Sequence, residues 1–300
     1  MKAVQYSEHG GPEVLALVDV PEPHAGPGQV RVAVRAAGVN GIDWKIRAGY
    51  MSKMRPTPFP AGTGMDAAGV VDEVGDGVTG VAVGDEVFGS GVDTYAEYAV
   101  LTNWAVKPTE LSFDEAAGYP IPVETAIRIL DLVGAAAGQT LLVSGAAGGV
   151  GSAAVQIARQ RGLTVIGTAG EKNQDYLRSL GAVATTYGPG LVERVRALAP
   201  AGIDAALDIA GSGVIPELIE LTGEPAKVVS IADFTAPEHG AQVSTGGDGH
   251  AAAFAEAARL FSEGALRLPV AKTYQLAEAA DAQNASAAGH IAGRAVITVA

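Results

Sequence analysis

The chain contains no cysteine, which excludes disulfides, thiolate metal ligands and cysteine nucleophiles together. Any metal site would have to be built from His, Asp and Glu. Aromatic residues make up 5% of the 300 positions, and cations are scarce: 20 Lys and Arg against 33 Asp and Glu leave a formal net charge of −13. Such a surface repels phosphodiester backbones and anionic lipid, so neither a nucleic-acid nor a membrane partner is expected. A secretory signal is also missing. Met1 to Tyr6 runs into charge and turn residues by Ser7 to Pro12, before an apolar core of the needed length forms, so a cytoplasmic chain is expected. The stretch 132–158 has no charged side chain and on length alone could cross a bilayer. It is, however, punctuated by Gly134, Gly138, Gly145, Gly148, Gly149 and Gly151, and reads as a buried strand, a glycine turn and a helix start. What is present is 48% hydrophobic and 18% charged, the composition of a packed globule. At roughly 150 residues per domain, this length suggests two domains.

Up to about Pro108, short β-like runs such as Val30 to Ala36 and Ala68 to Val74 alternate in hydrophobicity and are cut by glycines, as in a compact β domain. From Ser112 the period changes. Ser112 and Glu115 have the spacing of a capping box, and Val123, Ala126, Ile127 and Leu130 recur at helical spacing. Strands are then expected at 140–144, 164–168, 203–209 and 226–231, alternating with helices at 150–161, 173–180, 213–221 and 251–263. That alternation implies βαβ units in a doubly wound parallel sheet. Strand character returns at 270–274 and 294–299, flanking a helix over 276–288.

After the strand Leu141 to Val143, the run Ser144-Gly145-Ala146-Ala147-Gly148-Gly149-Val150-Gly151 opens a helix. A strand, glycine turn and helix in a βαβ unit is the context of a dinucleotide-binding fingerprint, in which a pyrophosphate rests on amide N–H groups at the helix N-terminus. Gly148 and Gly151 match its second and third glycines, and Ala146 replaces the first. About twenty residues on, where an NAD-selective site places an acid on the ribose, stands Thr168. The missing acid and the nearby Lys172 favour a 2′-phosphate, hence NADPH. Glu171 argues the other way, and Lys172 also reads as an ordinary loop lysine.

Here the sequence resembles the medium-chain dehydrogenase/reductase superfamily, and within it the zinc-free quinone oxidoreductase (zeta-crystallin-like) branch, over essentially its whole length. The resemblance is carried by Ala36 to Asp43, Gly62 to Val71, Val83 to Gly89, Thr94 to Ala99, Gly145 to Gly151 and Gly289 to Arg294, in that order. It implies an α/β protein with a discontinuous GroES-like β-rich catalytic domain, 1–118 with 265–300, and a Rossmann domain, 119–264. It also implies a homodimer and a reductase passing hydride from NADPH to a quinone or an α,β-unsaturated carbonyl. A biosynthetic enoyl or ketone reductase with one substrate and a non-catalytic NADPH-binding protein are the alternatives. Zinc alcohol dehydrogenases place a Cys where this chain has Asp43 and a His-Glu pair where it has Met65-Asp66, and they insert a structural zinc lobe that is missing between Phe88 and Tyr98. Zinc-independent chemistry is therefore expected.

By the same resemblance Asn40 lies at the nicotinamide and substrate, accompanied by Asp43. Tyr50 borders the substrate pocket as proton donor or stacking partner, or is a plain loop tyrosine. Thr125 contacts the nicotinamide side, Ala146 and Gly148 to Gly151 the pyrophosphate, and Thr168, Lys172 and Tyr187 the adenosine ribose and its phosphate. Ala210 and Ile231 line the nicotinamide ribose and ring at strand ends. Arg294 either reaches a phosphate or faces solvent.

Overall fold

The computed structural model describes residues 1–53, 56–246, 250–289 and 291–299; His290, part of the C-terminal motif, lies outside them. The chain divides into two compact units, one formed by Met1–Ile121, His250–Gly264 and Leu268–Ala300, the other by Pro122–Gly249 and Ala265–Arg267.

In the first unit the alternation read at 30–36 becomes the strand Val30–Val39, with Val30, Val32 and Val34 buried on one face. The six-stranded sheet runs in the order Val270–Gln275, Arg294–Thr298, Val30–Val39, Asp66–Val74, Glu86–Gly91 and Tyr98–Val106. Tyr98–Val106 also pairs back onto Val30–Val39, through Val30 opposite Leu101, so that four antiparallel strands close on themselves. Close strand approach is made possible by glycine: a Cβ at Gly69 would stand 2.3 Å from the Ala33 carbonyl oxygen and one at Gly89 2.1 Å from that of Asn103. The helix His250–Ser262 was assigned by sequence to the dinucleotide domain. It belongs with the first unit, because Phe254 packs on Phe88 and Phe261 edge-on against Tyr119, with ring centroids 6.4 and 6.2 Å apart. A helical period shows which face is apolar and not what that face covers.

The second unit is built on a six-stranded parallel sheet in the order Val183–Thr185, Thr164–Thr168, Thr140–Ser144, Ala205–Asp208, Val228–Ser230 and Gln242–Val243. Numbered along the chain, this is third, second, first, fourth, fifth, sixth, the doubly wound Rossmann order, and it reverses direction between the strands ending at Ser144 and Asp208. Leu142, Ile166, Ala206 and Val228 fill the core against the helices. The charge-free stretch is resolved into the strand Thr140–Ser144 and the helix Gly149–Gln160. Among the described residues no helix is long and apolar enough to cross a membrane.

Candidate functional site

Ligands in doubly wound sheets collect at the carboxyl ends of the strands where the order reverses, and there the second unit carries its glycine turn. The left-handed residue of that turn is Gly145, with φ +83°, so its first glycine is present after all: the spacing is Gly145, Gly148, Gly151 and not the tighter one that made Ala146 a replacement. Ala146 is fully buried. A Cβ at Gly151 would stand 2.2 Å from the Gly145 carbonyl oxygen, so this glycine lets the helix lie on the turn. At Gly148 a Cβ would meet only that same oxygen, at 3.8 Å. The space in front of Gly148 is therefore open, at the end of a 12-residue helix whose first N–H groups, on Gly149, Val150 and Gly151, lack intrahelical acceptors. An anion seated there meets donors and the positive end of the helix dipole; the residues present fit a pyrophosphate.

Thr168 is 1% exposed. Its Oγ1 accepts from the Gly145 N–H at 3.3 Å and its carbonyl from the Ala146 N–H at 3.0 Å. It braces the turn and does not stand open where a ribose-binding acid would. Lys172, one turn further on, is exposed and has no ion pair or hydrogen bond among the described residues. Tyr187 is 59% exposed, with its hydroxyl 3.6 Å from where a Cβ would sit on Gly170. Lys172 and Tyr187 thus flank the backbone that follows Thr168. Gln174, which sequence reading passed over, holds this edge together by donating through Nε2 to the carbonyls of Ala169 (2.8 Å) and Thr185 (3.0 Å).

Across the reversal point, Asp208 and Ser230 form a buried pair: Ser230 Oγ donates to Asp208 Oδ2 at 2.8 Å. Burial pushes the Asp208 carboxyl above its ordinary range. Asp208 Oδ1 accepts from the Gly211 N–H at 3.0 Å, and Ser230 Oγ accepts from the N–H groups of Ala232 and Asp233 at 3.1 and 2.9 Å. One pair thereby orders both loops that carry Ala210 and Ile231. Thr125 is buried in the helix Pro120–Val133, its Oγ1 3.4 Å from Glu124 Oε2 and from Arg128 Nη2. Arg128 is held by Glu124 at 2.8 Å and by Ser244 Oγ.

The first unit contains a second, fully buried polar cluster. Asn40, 4% exposed, is the N-cap of the short helix Gly41–Arg47 and donates its N–H to Asp43 Oδ2 at 2.8 Å. Its side chain joins two further elements, Nδ2 donating to Asp66 Oδ2 at 2.9 Å and Oδ1 accepting from Arg294 Nη2 at 2.8 Å. Tyr95 donates its hydroxyl to Asp43 Oδ2 at 2.9 Å, and the Ile121 N–H donates to Asp66 at 3.2 Å. Burial raises the Asp43 carboxyl to about 6 and that of Asp66 to about 7, against the opposing pull of Arg294. Arg294 was expected to reach a phosphate or to face solvent, and does neither. It is 5% exposed, with Nη2 donating to Asn40 and lying 3.9 Å from Asp66 Oδ2. Asp66 and Tyr95 are members that sequence reading did not assign, because nothing local marks pairings that span 26 and 52 residues. Tyr50 stands apart, 70% exposed, its ring edge-on to Trp44.

The two acidic residues of this cluster, Asp43 and Asp66, are its candidate metal-ligating groups. Here their carboxylates face a guanidinium, an amide and a phenol, all hydrogen-bond donors, and a cation would have to displace Arg294. These residues do not fit zinc.

Residues 26–110 match the alcohol dehydrogenase GroES-like domain, and 180–297 match a family described as zinc-binding dehydrogenase. A human quinone oxidoreductase is 42% identical over 193 residues, 61% of this chain and 57% of that protein, so the match spans little more than half the length of such curated relatives. Among solved structures, a quinone oxidoreductase from Coxiella burnetii superposes with a TM-score of 0.87 at 31% identity, covering 100% of this chain and 99% of the other. A mycobacterial protein solved in complex with NADPH gives 0.87 at 27% identity, over 99% of this chain and 100% of that one. On a match that runs the length of both chains, carried by a closed antiparallel sheet and a doubly wound parallel one, this protein belongs to the quinone oxidoreductase (zeta-crystallin-like) branch of the medium-chain dehydrogenase/reductase superfamily.

Proposed function

We propose that the protein is an NADPH-dependent reductase that delivers hydride to a quinone or an α,β-unsaturated carbonyl. The observation that carries the reading is the rim of the glycine turn. The acid that would hold a ribose 2′-hydroxyl is replaced by a buried Thr168, and beside it stand an uncompensated Lys172 and the hydroxyl of Tyr187. A 2′-phosphate satisfies both, through a charge-assisted bond to the lysine and a neutral one to the phenol. The pyrophosphate takes the amides from Gly149 to Gly151 in front of Gly148, and the loops of Ala210 and Ile231, fixed by Asp208 and Ser230, receive the nicotinamide half. The bound nicotinamide supplies the hydride.

The chain's own task is to stabilise the oxyanion left when hydride arrives and to return a proton. We assign the proton to Tyr50, whose hydroxyl has no partner among the described residues. Asn40 and Asp43 are assigned a supporting role, the Asn40 side chain being held by Asp66 and Arg294 and Asp43 Oδ2 by the Asn40 N–H and Tyr95. A homodimer and a cytoplasmic location, which membership of this branch suggests, belong to the same proposal.

The test is titration of the purified protein with NADPH and NADH, followed by oxidation of bound NADPH by 1,4-benzoquinone and by a simple enone. Preferential NADPH binding with turnover of either acceptor is the expected result. NADPH binding without turnover of either would favour a private substrate or a binding role, and no binding would remove the reading.

A further inference from the structure

Tyr187 is carried by the segment Thr186-Tyr187-Gly188-Pro189-Gly190, in which Gly188 and Gly190 both adopt left-handed φ, +87° and +78°. A Gly-Pro-Gly run has little intrinsic reason to hold one shape, and Tyr187 itself is mostly exposed. Its shape is instead imposed by a residue of the following helix, Leu191–Leu198. Arg194 turns back over the segment: Nη1 donates to the Pro189 carbonyl at 2.7 Å, and Nη2 lies within reach of those of Thr186 (3.0 Å), Gly188 (3.2 Å) and Tyr187 (3.4 Å). The guanidinium thus gathers four consecutive carbonyls, and no carboxylate pairs with it among the described residues. At its base the segment is anchored to the neighbouring strand by the Ala169 N–H donating to the Thr185 carbonyl and by Gln174, so that the Tyr187 hydroxyl is delivered over Gly170, two residues before Lys172.

We infer that Arg194 is a positioning residue for coenzyme discrimination: by clasping the 186–189 carbonyls it fixes Tyr187 beside Lys172 and so completes a site for a ribose 2′-phosphate, without itself touching the coenzyme. This rests on the NADPH reading above. The planar fork is what matters. Lysine would keep the charge, but a single ammonium on a flexible stem cannot span carbonyls of four residues.

The test compares binding of NADPH and NADH, and of the fragments 2′,5′-ADP and 5′-AMP, to the full-length protein and to Arg194→Lys, Arg194→Ala and Tyr187→Phe, each with its thermal midpoint. Both Arg194 variants should lose about tenfold in NADPH and 2′,5′-ADP affinity, the worth of one hydrogen bond to a charged group, while NADH and 5′-AMP binding hold. Adding Tyr187→Phe to Arg194→Ala should cost nothing more, since both act through one hydroxyl. Full NADPH preference in Arg194→Lys would overturn the inference, showing that charge and not the clasp counts. Additive losses in the double variant would overturn it as well, as would an equal loss for phosphorylated and unphosphorylated ligands, the sign of a merely structural role. If the unaltered protein binds 2′,5′-ADP no better than 5′-AMP, the coenzyme reading itself fails, and the variants are not needed to show it.

Discussion

Gly148 and Gly151 lie three residues apart at one helix start, and their surroundings predict opposite failures. A side chain at 148 enters the open space that the pyrophosphate is proposed to fill, so Gly148→Val should leave the thermal midpoint nearly unchanged and weaken NADPH by tenfold or more. A methyl at 151 is driven onto the Gly145 carbonyl. Gly151→Ala should therefore destabilise by about 1–3 kcal/mol, the usual cost of overpacking, and thermal melts with and without NADPH separate the two. Lys172→Ala should cost NADPH about tenfold or more and NADH almost nothing, as expected for a hydrogen bond involving a charged group; equal loss for both coenzymes would refute the assignment. That Gly148 and Gly151 open a helix after a strand was legible, because residue type and spacing carry that geometry. The role of Gly145 was not, since the sign of φ is absent from a string of letters and the fingerprint spacing pointed to Ala146. Arg294 misled for a related reason: an arginine's partners are set by a strand pairing 254 residues away.

At the level of elements, the cluster of Asn40, Asp43, Asp66, Tyr95 and Arg294 joins a helix N-terminus to the first residues of two strands and to the bend at Tyr95, and both its carboxyls are raised above the ordinary value of 3.8, to about 6 and about 7. A raised pKa means that the folded state binds more protons than the unfolded chain between those limits. Stability from these groups is therefore full below about pH 4 and is lost as the pH rises through about 6 to 7. Thermal midpoints should fall across that window, less steeply in Asp66→Asn; an unchanged slope would show that Asp66 titrates as it does in the unfolded chain. Asn40→Ala leaves Arg294 Nη2 without its acceptor while Asp66 keeps the Ile121 N–H, and should cost about 1–3 kcal/mol for the buried group left unsatisfied. Long periodic elements were read correctly from sequence, among them the strands 140–144 and 164–168 and the helix Gly149–Gln160. The helix Gly41–Arg47 was not assigned from sequence, being seven residues long and opening on glycine. The strand Val183–Thr185 and the helix Leu191–Leu198 were passed over, the first because three residues show no period.

On the scale of the whole molecule, one unit is assembled from three separate stretches of chain and the other almost entirely from residues 122–249. Truncation after residue 264 should therefore strip the first unit of Val270–Gln275 and Arg294–Thr298, leaving Asn40 and Asp66 without their guanidinium. Limited proteolysis of that variant should degrade the 1–121 segment while a fragment close to 122–249 persists. Equal survival of both would show that the first unit does not depend on its distant strands. The pairing of Arg294–Thr298 with Val30–Val39 also sets an order of events at the ribosome. The middle unit has everything it needs once residue 267 has emerged, whereas the strand Val30–Val39 keeps an edge of unpaired N–H and C=O groups until Arg294–Thr298 is made. That edge is a template for wrong partners, so the first unit is the slow, high-contact-order step of folding and the part of the nascent chain that most needs shielding.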